Sequence, residues 1–201
     1  MPRTPATFSI AFVIAGGQLL FGQGIDDVRK LYDSGQYQQV IAAAARSDAD
    51  PRVKYLQGQS HEKLSHASEA RQVYGQLAGR PESDPWHYVG QSAMALMERD
   101  LAGALAAANR AIERDASLPE AYYQRGLAQN ALQDMAGAAA SFQKASDLDP
   151  SWAYPHYFAG VAYSKVKRID LTAQHFQMFL RLAPQAPERG EVQSILKTLG
   201  R

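Results

Sequence analysis

Several places in the chain have the residue types for nucleophilic chemistry. Ser60 with Lys63, Ser141 with Lys144 and Ser194 with Lys197 each spell S-x-x-K, the pattern in which a serine hydroxyl attacks as nucleophile in penicillin-interacting enzymes. The S-D-N and K-T-G segments that complete such a site are absent. Repeated isolated hits in one helical chain measure how little the pattern specifies. The five histidines, His61, His66, His87, His156 and His175, form no H-E-x-x-H, and the five-residue step from His61 to His66 misaligns the two rings on a helix. Each is expected at the surface or in packing. Cysteine is absent, which removes thiol nucleophiles, thiolate metal sites and disulfides. The glycines are isolated or lie near the N-terminus, so no phosphate-cradling loop is present. The reading is therefore a non-enzymatic protein with no catalytic residue, no metal and no cofactor.

Charge narrows the partners. The chain carries 21 basic and 20 acidic residues, and its first 24 residues contain Arg3 but no acid. Beyond residue 24 the balance is 20 against 20. Nucleic-acid affinity comes largely from clustered Lys and Arg neutralising phosphates, so no nucleic-acid partner is expected. At 201 residues and 46% hydrophobic content, the chain is long enough to bury a core.

The N-terminus has its own composition. Arg3 precedes FSIAFVIAGGQLLF, residues 8–21, an uncharged run of 14, followed by small residues at 22 and 24. This pattern reads as a signal peptide over 1–24, cleaved between Gly24 and Ile25. A membrane span needs about 20 apolar residues, so an uncleaved anchor formed by 8–21 is the alternative. The expected location is exported, periplasmic, with no membrane span in the mature chain.

A 34-residue period governs the rest. Ala70, Ala104, Ala138 and Thr172 share one column, and Gly58, Ser92, Gly126 and Gly160 another. Tyr74, Ala108, Phe142 and Phe176 form a third, and Leu77, Ala111, Ala145 and Phe179 a fourth. Asp-Pro at 50–51, 84–85 and 149–150 supplies an N-cap acceptor followed by the residue best tolerated at the first helical position. Ser117 to Glu120 supplies an S-x-x-E capping box where Asp-Pro is missing, and Asp100 and Asp134 are candidate caps for second helices. Each unit then resolves into two helices. The small residues let backbones approach, and the ring fills the space beside them. Val192, Ile195, Leu196 and Leu199 form an apolar stripe at helical spacing near the C-terminus.

Residues 119–152, with Tyr122, Gly126, Ala138, Phe142, Ala145 and Pro150, closely resemble the tetratricopeptide repeat. The resemblance implies an all-α fold, a right-handed α-solenoid of stacked antiparallel helix hairpins. Its units would be a shortened hairpin over 25–50 turning at Gly35, four repeats over 51–84, 85–118, 119–152 and 153–186, and a capping helix over 187–201. The departures are Ser92 and Ala108 in the second unit, expected to lean on its neighbours, and Phe179 in the fourth, expected to loosen packing there.

The resemblance also implies a concave groove lined by the first helix of each unit. Carried onto this sequence, its peptide-binding positions include Tyr55, Gln59, Trp86, Val89, Tyr123, Leu127, Asn130, Tyr154, Tyr157, Phe158 and Val161. The family's clamp for a C-terminal carboxylate needs Lys and Asn where Tyr55 with Gln59, Val89 with Ala93 and Tyr123 with Leu127 stand, so that mode is rejected. An aromatic groove suits an extended peptide or an amphipathic helix, although the same rings could simply pack between hairpins. The leading function is an exported scaffold binding a protein or peptide in an envelope or secretion assembly. A self-associating structural module and a regulatory subunit of an enzyme complex are the alternatives.

Overall fold

The structure is a computed structural model that describes residues 24–45 and 50–200. The export segment proposed for residues 1–24 lies outside them except for Gly24. Among the described residues the chain is helical, without strands, and no helix is long and apolar enough to cross a membrane. The first hairpin is α1 (Ile25–Asp33) and α2 (Tyr37–Ala44). Then follow α3 (Pro51–Lys63) with α4 (Ala67–Ala78), α5 (Pro85–Glu98) with α6 (Leu101–Arg114), α7 (Pro119–Ala131) with α8 (Met135–Leu148) and α9 (Ala153–Lys165) with α10 (Ile169–Leu182). The last helix is α11 (Arg189–Leu199). Each helix packs on its neighbours in the chain, and α1 also meets α3 while α5 meets α7.

The period is set at the turns. Asp50 and Asp84 accept the amides of Arg52 and Trp86 at 2.9 Å, with Pro51 and Pro85 opening α3 and α5. Asp100 and Asp134 cap α6 and α8 by accepting the amides of Gly103 and Gly137, also at 2.9 Å. Between the helices of each full hairpin sits a residue with left-handed φ: Ser65, Arg99, Gln133 and Lys167, at 60–64°. These four are 34 apart, a column without side-chain consensus that only the backbone reveals.

Two expected caps are different. Asp149 does not cap a helix start: it closes α8 and accepts from the amide and hydroxyl of Ser151, while α9 begins at Ala153. Ser117 forms no capping box either. Its amide and hydroxyl donate to Asp115 at 2.8 and 2.6 Å, and α7 opens at Pro119. The short-range turn between an aspartate and the serine two residues on competes with the cap for the same hydroxyl.

Within the hairpins, ring meets glycine. A Cβ built on Gly58 would fall 2.3 Å from the Tyr74 ring, on Gly126 2.7 Å from Phe142, and on Gly160 2.6 Å from Phe176. In the second hairpin both partners change together: Ser92 and Ala108 are fully buried, and the Ser92 hydroxyl donates to the Ala104 carbonyl and lies 3.2 Å from Gln124 Oε1 of the next unit. Phe179 does not loosen the fourth unit. It is fully buried, with the Tyr154 and Tyr157 rings at 5.8 and 5.2 Å, in a cluster completed by Ala183, Ala186 and Val192 of α11.

Backbone proximity makes one glycine indispensable. A Cβ on Gly90 would meet Ala78 N at 2.5 Å and Tyr74 O at 2.7 Å, whereas one on Gly75 meets nothing within 4 Å. Gly90→Ala must push α5 off α4 and is expected to cost about 1–3 kcal/mol. Gly75→Ala is expected to stabilise by up to about 1 kcal/mol through helix propensity. Chemical denaturation of the two variants beside the wild type checks both signs.

Candidate functional site

The first helices of the units, α1, α3, α5, α7 and α9, share the inner face, and their side chains fill much of it. Tyr55 on α3 is buried, with its hydroxyl accepting from Gln124 Nε2 on α7 at 2.7 Å and from Gln59 Nε2 at 3.3 Å. The Trp86 ring lies 6.1 Å from Tyr55. On α7, Tyr123 stands edge-on to Phe142 and Phe158 at 5.6 and 5.7 Å and is 4.7 Å from Trp152. Tyr154 and Phe158 on α9 continue the ring layer, and Tyr157 links it, edge-on to Phe158 at 5.0 Å, to Phe179 at 5.2 Å and Phe176 at 6.3 Å.

The shortened first hairpin closes this face. Tyr32 of α1 meets Tyr154 of α9 edge to face at 5.2 Å. Arg29 Nη1 donates to Asp149 Oδ2 at 2.7 Å, and its guanidinium lies 5.6 Å from the centre of the Trp152 ring. A second seam runs from α3 to the C-terminal segment, where Lys63 Nζ pairs with Glu188 at 2.9 Å and the Tyr154 hydroxyl donates to the other Glu188 oxygen at 3.0 Å. The Lys63 ammonium sits 5.4 Å over Tyr154. Four hairpins and a short one thus bend until the first touches the last.

The sequence-derived positions separate into two groups. Tyr55, Trp86, Val89, Tyr123 and Tyr154 are buried, Val89 completely, and Gln59 is nearly so. Leu127, Asn130, Tyr157, Phe158 and Val161 are half-buried. Gln59, Tyr123, Leu127, Tyr154 and Phe158 converge with Tyr32, Glu62 and Lys63 on a cavity of about 260 Å³. Gln59 Oε1 is buried there without a hydrogen-bond partner. Trp86 lies elsewhere, beside Arg52 and Glu120 on a second cavity of about 550 Å³ at the helix starts. Neither Arg29 nor Tyr32 was among the expected groove positions, because the first hairpin is too short to share the 34-residue register. The tyrosines Tyr32 and Tyr37 flanking the Gly35 turn were the available signal.

Two of the S-x-x-K serines are engaged otherwise. Ser60 donates to the Leu56 carbonyl at 2.7 Å, and Ser141 donates to Gln129 while accepting from Arg125. His156 and His175 face each other, buried, with their Nδ1 atoms 3.1 Å apart. Burial first, and then the neighbouring His175, push His156 down to about 4. Among the described residues no group of three or more His, Asp and Glu side chains is placed to hold a metal ion.

The architecture has solved counterparts. A thermophilic TPR protein of Thermus thermophilus superposes with a TM-score of 0.61 at 20% identity, over 87% of this chain and 96% of its own. The Arabidopsis OM64 TPR domain gives 0.55 at 19% identity, over 58% and 97%. The first TPR of Spaghetti (RPAP3), bound to an HSP90 peptide, gives 0.53 at 15% identity, over 60% and 96%. The family model for the tetratricopeptide repeat matches residues 119–151. The fold is that of a tetratricopeptide-repeat solenoid. No match to the sequence is found among curated proteins.

Two carboxylates of this helical array are buried near the Arg29 seam. Burial pushes Asp33 up to about 7 against the opposing pull of Arg29, and burial pushes Glu120 up to about 7 as well. Asp33 Oδ1 and Glu120 Oε2 have no hydrogen-bond partner. A raised folded-state value means that the native state holds its proton while the unfolded chain has lost it. Stability from such a group therefore falls as pH rises from about 4 to 7 and is level beyond. Asp33→Asn is expected to match the wild type near pH 4 and to exceed it at pH 8 by on the order of 2 kcal/mol, about 4–8 °C in Tm. Thermal unfolding across that pH range, with the histidines common to both proteins, reads the difference.

Proposed function

We propose that the chain is an exported, non-enzymatic interaction scaffold that binds a protein or peptide partner through its inner face, in an envelope or secretion assembly. The observation that carries this reading is the cavity shared by α1, α3, α7 and α9. Three tyrosines, a phenylalanine and a leucine line it beside the unpaired amide oxygen of Gln59. Aromatic walls give large contact area at little entropic cost, and one unpaired acceptor gives a donor group something to find. At about 260 Å³ the cavity takes one anchoring side chain of a partner rather than a whole peptide, and we assign further contacts to the half-buried positions Asn130, Tyr157 and Val161 outside its lining. TPR folds that hold peptides, such as the HSP90-bound neighbour, support the class of partner. The carboxylate-clamp residues remain missing, so the peptide's end group is not the recognised feature.

Export rests on residues 1–24: a basic start, an apolar run and small residues before Ile25. The balanced charge of the remainder supports a protein partner over a nucleic acid.

Two measurements test the reading. Crosslinking capture from envelope extracts with the wild type is expected to retain a defined protein, and Leu127→Arg, which places a charge in the cavity wall, is expected to lose it at least tenfold with an unchanged melting curve. Equal retention by both would refute inner-face binding. Residues 1–24 fused to a reporter active only outside the cytoplasm are expected to give activity, and a silent fusion would refute export.

A further inference from the structure

α1 packs on α2 and lies across the inner face. It lies against α3, and its Tyr32 and Arg29 reach across to α9 and to the residues just before it. At nine residues it is the shortest inner helix, against 13 or 14 for the others. Its fit is incomplete: Arg29 Nε and Asp33 Oδ1 are buried without partners. Buried polar atoms in that condition favour release into water. The chain turns back after α1 at Gly35, whose φ of 75° and closeness to Pro187 place the turn of the hairpin at the seam.

We infer that α1 is a built-in surrogate ligand of the inner face, and that the partner presents a helix of the same chemistry, which displaces it. That chemistry is a branched aliphatic residue followed directly by an arginine, with a tyrosine three positions later, as in Val28, Arg29 and Tyr32. The arginine finds the Asp149 carboxylate and the Trp152 face, and the tyrosine finds the edge of Tyr154. Helical spacing puts all three on one side, which is the helix-in-groove mode of recognition. The inference rests on the inner face being the binding surface, as proposed above; with α1 displaced, the partner's tyrosine takes the place of Tyr32 in the cavity wall against Tyr154.

The test uses a fluorescein-labelled peptide of residues 24–36 and the full chain. Val28→Asp combined with Tyr32→Ala loosens the resident helix. This double variant is expected to bind the peptide at least tenfold more tightly than the wild type, and a peptide with R29A and Y32A is expected not to bind. A folded double variant that binds no more tightly, or a control peptide that binds equally well, overturns the inference. Hydrogen exchange on the unaltered chain gives an answer even where the double variant fails to fold. The α1 amides are expected to exchange at least tenfold faster than those of α3, α7 and α9, and equal protection overturns the inference. A captured protein retained equally by the wild type and a folded double variant removes the surrogate and leaves the scaffold reading intact; peptide binding without any captured protein does the reverse.

Discussion

The seating of an aromatic ring on a glycine across each hairpin is the contact on which the remaining architecture depends. Tyr74 on Gly58, Phe142 on Gly126 and Phe176 on Gly160 leave no room for a single added carbon. A buried ring of this size contributes about 2–3 kcal/mol by removing apolar surface from water, and it fixes how far apart two helices stand. The second hairpin shows that the contact is a matter of volume: Ser92 and Ala108 exchange bulk between the two sides, and a hydroxyl replaces the ring. With the spacing inside each hairpin set, the stacking angle between hairpins is constrained, and so is the curvature of the array.

Curvature turns the inner face from a groove into something closer to a second core. The first helices carry Tyr55, Tyr123 and Tyr154 toward the axis, and the bend brings α1 against α9. Buried tyrosines need partners for their hydroxyls, which Gln124 and Glu188 supply from other units. These long-range bonds hold together parts of the chain that a linear stack would keep apart. The cavity of about 260 Å³ is what the rings leave unfilled. The same bend buries Asp33, Glu120 and Arg29 near the rim, where carboxylates hold protons that water would take from them.

The comparison between sequence and structure divides along range. Residues 34 apart announced the hairpins because each repeat solves the same local packing problem, and Ala138, Phe142 and Ala145 are all fully buried. Asp100 and Asp134 announced their caps because a cap involves only the next three residues. Asp149 and Ser117 misled, since a turn and a cap draw on the same short side chains, and the choice between them depends on where the following helix docks. The inner-face residues were legible as a set of aromatics on one side of successive helices. Their degree of burial was not, because it depends on how many units complete the bend.

What the sequence determined by itself is the unit: two helices, a small-on-large contact, a fixed period, and an inner side rich in rings. Periodicity carries that information because identical contacts between near neighbours recur at identical spacing. What only the tertiary structure decided is closure, the meeting of Arg29 with Asp149, Tyr32 with Tyr154 and Lys63 with Glu188 across 120, 122 and 125 residues of chain. Small rotations between successive hairpins add up along the array. No spacing in the sequence records their sum.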